Sequence, residues 1–234
     1  MTVETLDYED GETRLTGLLA RPSGAPRAAV LVFPTIMNAT PAVEAKAALL
    51  AEAGYLALIA DFYGKRPADF DQARVAAAEI RPDPHVYRRR LRAGLKALAS
   101  VAGPEDLPLL AIGFCMGGQA VLELAREGAP LEAVVSFHGL LQTELPAEPG
   151  AVTARILVCH GDADPMVPRE QVLKFWQEMD AAGSDWHFHS YGGVKHGFTN
   201  PAPTENPATA YNASADRQSW AAMLELFDEV LGKA

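Results

Sequence analysis

Apolar and polar residues follow two different patterns along this chain, and each predicts a different kind of strand. Residues 2–8 and 14–20 flank a turn at 10–12, which predicts an opening β-hairpin. The alternation of apolar and polar residues in these first two strands then stops. Short, mostly continuous apolar runs follow at 28–33, 56–60, 109–112, 133–137, 156–159 and 187–191. Strands that are apolar throughout are typical of a parallel sheet covered on both faces.

Helical segments separate these apolar runs. They are predicted at 41–53, 84–99, 115–126, 169–182 and 213–231. Strands that alternate with helices predict an α/β fold, with a mostly parallel central sheet and helices on both faces. The chain has 234 residues, 49% of them hydrophobic, so we expect one domain, 1–234, with a sizeable core.

Cys115 lies where the apolar run at 109–112 turns into the helix predicted at 115–126. Gly113 and Gly117 flank it two residues away on either side, where a side chain would collide with the backbone of a sharp strand-to-helix elbow. A cysteine at a helix N-terminus feels amide hydrogens and the positive end of the helix dipole, and both favour the thiolate. The alternative interpretation is a small hydrophobic residue packed in a tight turn.

A carboxylate and a histidine follow the cysteine in a consistent order. Asp164 comes just after the apolar run at 156–159, and His196 just after the run at 187–191. The order nucleophile, acid, histidine is that of the α/β-hydrolases. Asp162 is a second carboxylate in the same segment; we expect it to cap the turn, and Asp164 to hold the imidazole.

Three motifs carry a resemblance to a known family. They are Gly-Phe-Cys-Met-Gly-Gly at 113–118, Gly-Asp-Ala-Asp-Pro-Met-Val-Pro at 161–168 and Lys-His-Gly-Phe at 195–198, with support from Ala-Asp-Phe-Tyr-Gly at 60–64. Through them the chain resembles the dienelactone hydrolase family, α/β-hydrolases that use a Cys-His-Asp triad on small esters and lactones. The resemblance implies that Cys115 is the nucleophile, His196 the base and Asp164 the orienting acid, with no cofactor.

The same resemblance implies an oxyanion hole made by the backbone amides of Met116, after the nucleophile, and Ile36, after the third strand. Thr35 stands where family members that act on dienelactone have a glutamate, and Asn200 stands where they have an arginine. In the family, the glutamate helps to control the thiol and the arginine helps to hold the substrate carboxylate. The two departures predict a substrate other than dienelactone.

Four side chains are candidates for substrate binding: Thr35, Tyr87, His138 and Asn200. His138 ends the sixth predicted strand and could approach the pocket, and its alternative role is a hydrogen bond to the backbone. The segments 65–84 and 200–212 are candidate lids at the rim of the site, or ordinary surface excursions. The first of them contains a short helix predicted at 69–80.

Charge and composition narrow the class of partner. A formal net charge of −10 argues against a nucleic-acid partner, because the negatively charged phosphates of a nucleic acid bind basic protein surfaces. The arginines at 88–90 and 92 form one basic cluster, predicted to be a solvated helix face. No apolar stretch predicts a signal peptide or a membrane span, so we expect a cytoplasmic protein with no membrane partner.

Cysteine and histidine spacing predicts neither a disulfide nor a metal site. Cys159 lies within an apolar strand and Cys115 at the elbow, so a pairing is not expected. The histidines at 138, 160, 187 and 189 lack the helical spacing of metal ligands. The oligomeric state is open.

The sequence therefore predicts a hydrolase of small carboxylic esters or lactones that works through an acyl-thioester on Cys115. Two alternatives stay open. One is a binding protein that kept the pocket without catalysis, and the other is a redox-sensitive thiol protein in which oxidation of Cys115 matters more than hydrolysis.

Overall fold

The computed structural model describes residues 3–103 and 107–232, so position 2 of the first predicted strand lies outside them. The strands are β1 (Val3–Asp10), β2 (Thr13–Ala20), β3 (Ala29–Phe33), β4 (Leu56–Ile59), β5 (Leu109–Phe114), β6 (Ala133–Phe137), β7 (Arg155–Gly161) and β8 (Trp186–Tyr191). The helices are α1 (Pro41–Glu52), α2 (Phe70–Ile80), α3 (Pro84–Ala102), α4 (Met116–Arg126), α5 (Arg169–Ala182) and α6 (Ala213–Val230). The described part of each predicted element is confirmed, and the largest difference is that α3 continues to Ala102.

The sheet is mostly parallel, with the strand order β1-β2-β4-β3-β5-β6-β7-β8. The predicted hairpin is confirmed, since β1 pairs antiparallel with β2 from Val3 opposite Ala20 to Asp10 opposite Thr13. β2 also pairs antiparallel with β4, whereas the pairs β3–β4, β6–β7 and β7–β8 are parallel. In a parallel sheet the carboxyl ends of neighbouring strands meet at one edge, where the loops that carry binding and catalytic residues are found.

The chain divides into two compact units, the first ending at Ala111 and the second beginning at Ile112, inside β5. In the first unit, α3 packs against β1 and β3, and α1 against β2 and β4. In the second, α4 packs against β6, and α6 against β6 and β7. All residues of β3 and β6 are buried, so both faces of these strands are covered, as the apolar runs predicted. The single domain 1–234 stays a prediction.

The solvated helix face predicted for the arginines at 88–90 and 92 is wrong for Arg88 and Arg90, which are both buried. The Nε of Arg90 donates to Asp10 Oδ2 at 2.7 Å, and its Nη1 donates to the carbonyl oxygen of Phe62 at 2.6 Å. Arg89 donates to the other oxygen of Asp10 at 2.8 Å. Burial alone would raise the pKa of Asp10, but the two guanidinium groups outweigh it and hold that pKa below its ordinary value. The basic cluster therefore ties α3 to the end of β1.

The two candidate lid segments differ in structure. The short helix predicted in 65–84 is confirmed as α2, whose first turn is capped by the side chain of Asp69, which accepts from the backbone N–H of Gln72. The segment 200–212 carries no helix or strand longer than a single bridge. Its backbone is tied to the loop of His196 by hydrogen bonds that include Ala210 N–H to the His196 carbonyl oxygen and Asn212 N–H to the Phe198 carbonyl oxygen, both at 3.1 Å. Their role as lids stays a prediction.

Within residues 3–103 and 107–232, no helix has the length and apolar character needed to cross a bilayer.

Candidate active site

Cys115 occupies a strained elbow between β5 and α4. Its backbone has φ 57° and ψ −115°, in the half of conformational space that residues other than glycine rarely adopt, and such a residue costs on the order of 1–3 kcal/mol. The Cys115 N–H donates to the carbonyl oxygen of Phe137 at 3.1 Å, which fixes the elbow against the end of β6. The elbow leaves the side chain of Cys115 partly exposed at the first turn of α4.

The small residues around the elbow are required by backbone contacts. A Cβ on Gly113 would overlap the carbonyl group of Gly117, and a Cβ on Gly118 would lie 2.6 Å from the Cα of Gly139. The predicted collision of a side chain with the backbone is therefore confirmed at Gly113, and it stays a prediction at Gly117.

Asp164 and His196 form a buried hydrogen-bonded pair. His196 Nδ1 donates to Asp164 Oδ2 at 2.7 Å, and the two residues are 3% and 4% exposed. The second oxygen of Asp164 accepts from the backbone N–H of Met166 at 2.8 Å, so the carboxylate is held at both oxygens. This leaves the other nitrogen of His196, Nε2, for a different partner.

The ring of His196 also interacts with the thiol of Cys115. Burial of the His196 ring opposes its protonation, but hydrogen bonds and charge interactions with Asp164 and Cys115 outweigh burial and raise the pKa of His196 to about 10. The arrangement therefore favours an imidazolium next to a thiolate, the state in which cysteine is nucleophilic. Cys159 is the contrast, because complete burial in β7 raises the pKa of its thiol to about 12.

Asp162 has a different position from Asp164, although the two are separated by one residue. Its carboxylate pairs with Arg169, with Oδ2 at 2.6 Å from Nη2 and Oδ1 at 3.0 Å from Nε. It binds this side chain at the start of α5, so the turn cap predicted for Asp162 is replaced by an exposed ion pair. Of the two carboxylates, the structure brings Asp164 to the imidazole.

His138 and Thr199 extend the cluster around His196. The ring of His138 lies edge-on to that of His196, with centroids 5.2 Å apart and an interplanar angle of 66°. Its Nε2 lies 2.8 Å from the hydroxyl oxygen of Thr199. Sequence reasoning missed Thr199; its only signal was its place in the loop of His196. Asn200, the next residue, is exposed, and its side-chain oxygen accepts from the N–H of Ala202.

The loop after β3 carries Thr35 and Ile36 in the first unit. Thr35 is half-buried, and its hydroxyl accepts from the N–H of Met37 at 3.2 Å. The Tyr63 hydroxyl donates to the Ile36 carbonyl oxygen at 3.0 Å, which holds the peptide group that follows Ile36. Tyr87 is buried in α3 and stacks on Phe62, with centroids 6.4 Å apart.

A cavity of about 580 Å³ opens beside Ile36 and runs along α2. It is lined by Ile36, Phe70, Arg74, Ala77, Ala78, Arg81 and Pro82. The lining is mainly apolar, with two guanidinium groups, and all of it belongs to the first unit.

In the second unit, Met116 is the first residue of α4. Backbone N–H groups in the first turn of a helix lie outside its internal hydrogen-bond ladder, which suits an amide for binding an anion.

Among the residues that the structure describes, no group of three His, Cys, Asp or Glu side chains is placed to hold a metal ion.

The chain is similar to proteins described as a lactonase and as a dienelactone hydrolase-like enzyme. An uncharacterized protein from Caenorhabditis elegans is 41% identical over 147 residues, which cover 60% of this chain and 91% of the relative. A Bradyrhizobium protein described as a probable 2-oxo-3-(5-oxofuran-2-ylidene)propanoate lactonase is 29% identical over 94% of this chain and 93% of its own length. A crystal structure of a dienelactone hydrolase-like promiscuous phosphotriesterase from metagenomic libraries superposes with a TM-score of 0.91, at 36% identity over 98% of both chains.

The sequence profile of the dienelactone hydrolase family matches residues 15–231, a span that contains the elbow, the buried aspartate and the histidine. The α/β-hydrolase fold predicted from the motifs is that of the structural relatives. The chain belongs to the dienelactone hydrolase family.

Proposed function

We propose that this protein hydrolyses small carboxylic esters or lactones, with Cys115 as nucleophile, His196 as acid and base, and Asp164 as the group that orients the imidazole. One observation carries the proposal: a buried Asp164–His196 hydrogen bond of 2.7 Å whose imidazole also interacts with a thiol on a strained elbow. A nucleophile, a base within reach and a third group that orients the base are the signature of covalent catalysis.

The reaction runs in two halves. The Cys115 thiolate attacks the carbonyl carbon, the bond to the leaving oxygen breaks, and the alcohol leaves with the proton of the His196 imidazolium. The neutral imidazole then takes a proton from water as the water oxygen attacks the thioester. The carbon–sulfur bond breaks, and the carboxylic acid leaves while the thiolate and imidazolium return. In a lactone, the alcohol stays tethered to the acyl group through the first half.

The amides of Met116 and Ile36 are the proposed donors to the oxyanion that forms in both halves. The first-turn position of Met116 in α4 supports its assignment. The hydrogen bond from Tyr63 to the Ile36 carbonyl oxygen supports the other, because it holds that loop in one conformation.

The proposed substrate is an ester or lactone other than dienelactone. Thr35 supplies no carboxylate after β3, and Asn200 is exposed with its side-chain oxygen bonded to its own loop. The lactonase relative supports the lactone class. We keep the cytoplasm as the proposed compartment, because reducing conditions preserve a catalytic thiol.

Phosphotriesters are a second candidate substrate class. The observation that favours them is the structural relative described as a promiscuous phosphotriesterase, at 36% identity over nearly the whole chain. The same thiolate would attack phosphorus and expel an aryl oxide, and His196 would activate water for the second half.

The test compares wild type with Cys115→Ala on p-nitrophenyl acetate, a panel of simple lactones and diethyl p-nitrophenyl phosphate. We expect the variant to lose more than about 1,000-fold in kcat on the carboxylic esters, because loss of a covalent nucleophile costs up to roughly a million-fold. Cys159→Ala is the matched control, since it removes the other thiol from a fully buried strand position.

Equal rates in wild type and Cys115→Ala would overturn the proposal. Binding of a lactone without turnover would favour the non-catalytic binding protein. An absence of turnover together with faster peroxide oxidation of Cys115 than of Cys159, read by mass spectrometry, would favour the redox-sensitive thiol.

A further inference from the structure

His138 is held in an unusual backbone conformation next to the proposed catalytic histidine. It is the first residue after β6, it is 2% exposed, and its φ is +40°, in the left-handed region that residues other than glycine rarely adopt. Such a conformation persists only where the surroundings fix it. The surroundings of His138 therefore indicate what it does.

The peptide group between Phe137 and His138 joins two parts of the site. Its carbonyl oxygen accepts from the Cys115 N–H at 3.1 Å, and its N–H donates to the Cys159 carbonyl oxygen at 2.8 Å. The elbow of the nucleophile and the strand that leads to Asp164 are therefore both bonded to the peptide that carries His138.

The side chain of His138 contacts the third part, the loop of His196. Its ring lies edge-on to His196 and to Phe198, with centroid distances of 5.2 Å in both cases. Its Nε2 is 2.8 Å from the Thr199 hydroxyl, and Thr199 is buried as well. Three residues of one loop, His196, Phe198 and Thr199, therefore hold the ring.

The geometry points to His138 as a positioning residue for His196, with Thr199 fixing His138 in turn. This inference rests on the proposed function and goes beyond it. The Asp164 hydrogen bond fixes only one nitrogen of the His196 ring, so the ring still has rotational freedom about that bond. The His138 ring packs edge-on against the His196 ring, and this contact would limit that rotation and keep Nε2 available to Cys115. Its role differs from the substrate contact predicted from the sequence, because its own Nε2 is bonded to Thr199 and its ring is buried.

The test measures the orientation of His196 apart from substrate turnover. The rate at which iodoacetamide alkylates Cys115, followed across pH by site-resolved mass spectrometry, reports the thiolate–imidazolium pair without an oxyanion or a bound ester. The titratable groups that face His196 are Asp164, Cys115, His160 and His138 itself. The first three are retained in all the variants below, and His138→Asn and His138→Phe both remove the fourth.

His138→Asn removes the ring but keeps a residue that tolerates positive φ. We expect kcat to fall about tenfold with KM changed by less than about twofold, because misplacing a catalytic group by about 1 Å costs on the order of 100-fold. The alkylation profile of Cys115 moves to higher pH, since a loosened imidazolium stabilises the thiolate less. His138→Phe keeps an aromatic ring at the same place and restores most of kcat.

Thr199→Val is the second variant, and it keeps the inference testable where His138→Asn does not fold. It releases the His138 ring while preserving the shape of residue 199, and we expect a fall in kcat of about threefold with an unchanged KM, the size of one lost hydrogen bond. His187→Asn is the matched control, because His187 is an exposed histidine on β8, and it retains wild-type kcat and alkylation.

Two outcomes overturn the inference: wild-type kcat and alkylation profile in His138→Asn, or a large rise in KM with unchanged kcat, which would make His138 a substrate contact. Neither outcome touches the proposed function, which Cys115→Ala tests separately. Conversely, a wild-type protein without ester turnover would remove the proposed function, and the alkylation profiles would still decide the role of His138.

Discussion

Asp61 in the first unit and Asp164 in the second are both buried aspartates that follow a parallel strand, and they differ in what their carboxylates bind. Asp61 accepts from four amide donors, the backbone N–H groups of Thr16, Tyr63 and Gly64 and the side chain of Asn38. None of these amide donors changes its charge near neutral pH, so the contacts of the Asp61 carboxylate hold loops together.

The carboxylate of Asp164 has one amide donor and one titratable donor. Met166 N–H bonds to one oxygen, and the His196 ring bonds to the other. Because the imidazole can gain and lose a proton, the charge of Asp164 changes the chemistry of a neighbouring ring rather than only the stability of a turn. The comparison shows that burial does not by itself distinguish the two aspartates; the titratable partner of Asp164 is what supports its proposed role as the orienting acid.

The same isosteric substitution at both aspartates gives the largest expected effect. Asp164→Asn should lower kcat on the order of 10,000-fold, because an amide cannot hold the imidazole in the useful tautomer or stabilise its cation. Asp61→Asn should mainly destabilise, by about 1–3 kcal/mol, because its NH2 group would face buried N–H donors. Steady-state kinetics and thermal unfolding of both variants measure the two effects.

A fall in kcat for Asp61→Asn as large as that for Asp164→Asn would break the comparison. Active-site titration by alkylation of Cys115 normalises the rates to folded protein, so that a loss of stability is not read as a loss of catalysis.

The protonation of His196 gives the second test. Its pKa is raised to about 10 from an ordinary 6.5, so the imidazolium contributes stability that is complete below about pH 6.5 and is lost as pH rises through about 10. Nitrogen-15 NMR of the wild-type ring should show that the imidazolium persists on the alkaline side of neutrality. In Asp164→Asn, the imidazolium should persist only to a lower pH.

His160 is the internal control for this titration. Its burial lowers its pKa, so its ring should be neutral where that of His196 is charged. A neutral His196 ring at neutral pH in the wild type would contradict the thiolate–imidazolium pair.

The smallest expected effect belongs to Asp162, which sharpens the comparison within one segment. It is separated from Asp164 by a single residue, but its carboxylate pairs with Arg169 at the surface. Asp162→Asn should leave kcat within about twofold of wild type, because exposed ion pairs contribute little. A larger loss, measured by the same steady-state assay, would mean that the two aspartates share the orienting role.

The sequence predicted the parts of this structure that depend on local patterns. Continuous apolar runs mark β3 and β6 because strands covered on both faces need no polar side, and the glycines near Cys115 mark an elbow that excludes side chains. The order of Cys115, Asp164 and His196 follows from the order of strand ends, and the structure brings all three together.

What local patterns could not predict depends on partners far away in the chain. Arg90 was predicted to be solvated because its counter-charge, Asp10, lies 80 residues earlier in the chain. The residues next to Arg90 in the sequence give no indication of a buried ion pair. Thr199 carried no motif, and its contact with His138 spans 61 residues. Both contacts exist only once the strands are paired.

The most direct test of the central claim is to trap the acyl-enzyme. Wild type mixed with p-nitrophenyl acetate and quenched in acid within the first turnover should carry one acetyl group, and peptide mass spectrometry should place it on Cys115 as a thioester. Acetyl on another residue in step with turnover, or full turnover with no acyl-enzyme at any quench time, would contradict nucleophilic catalysis by Cys115.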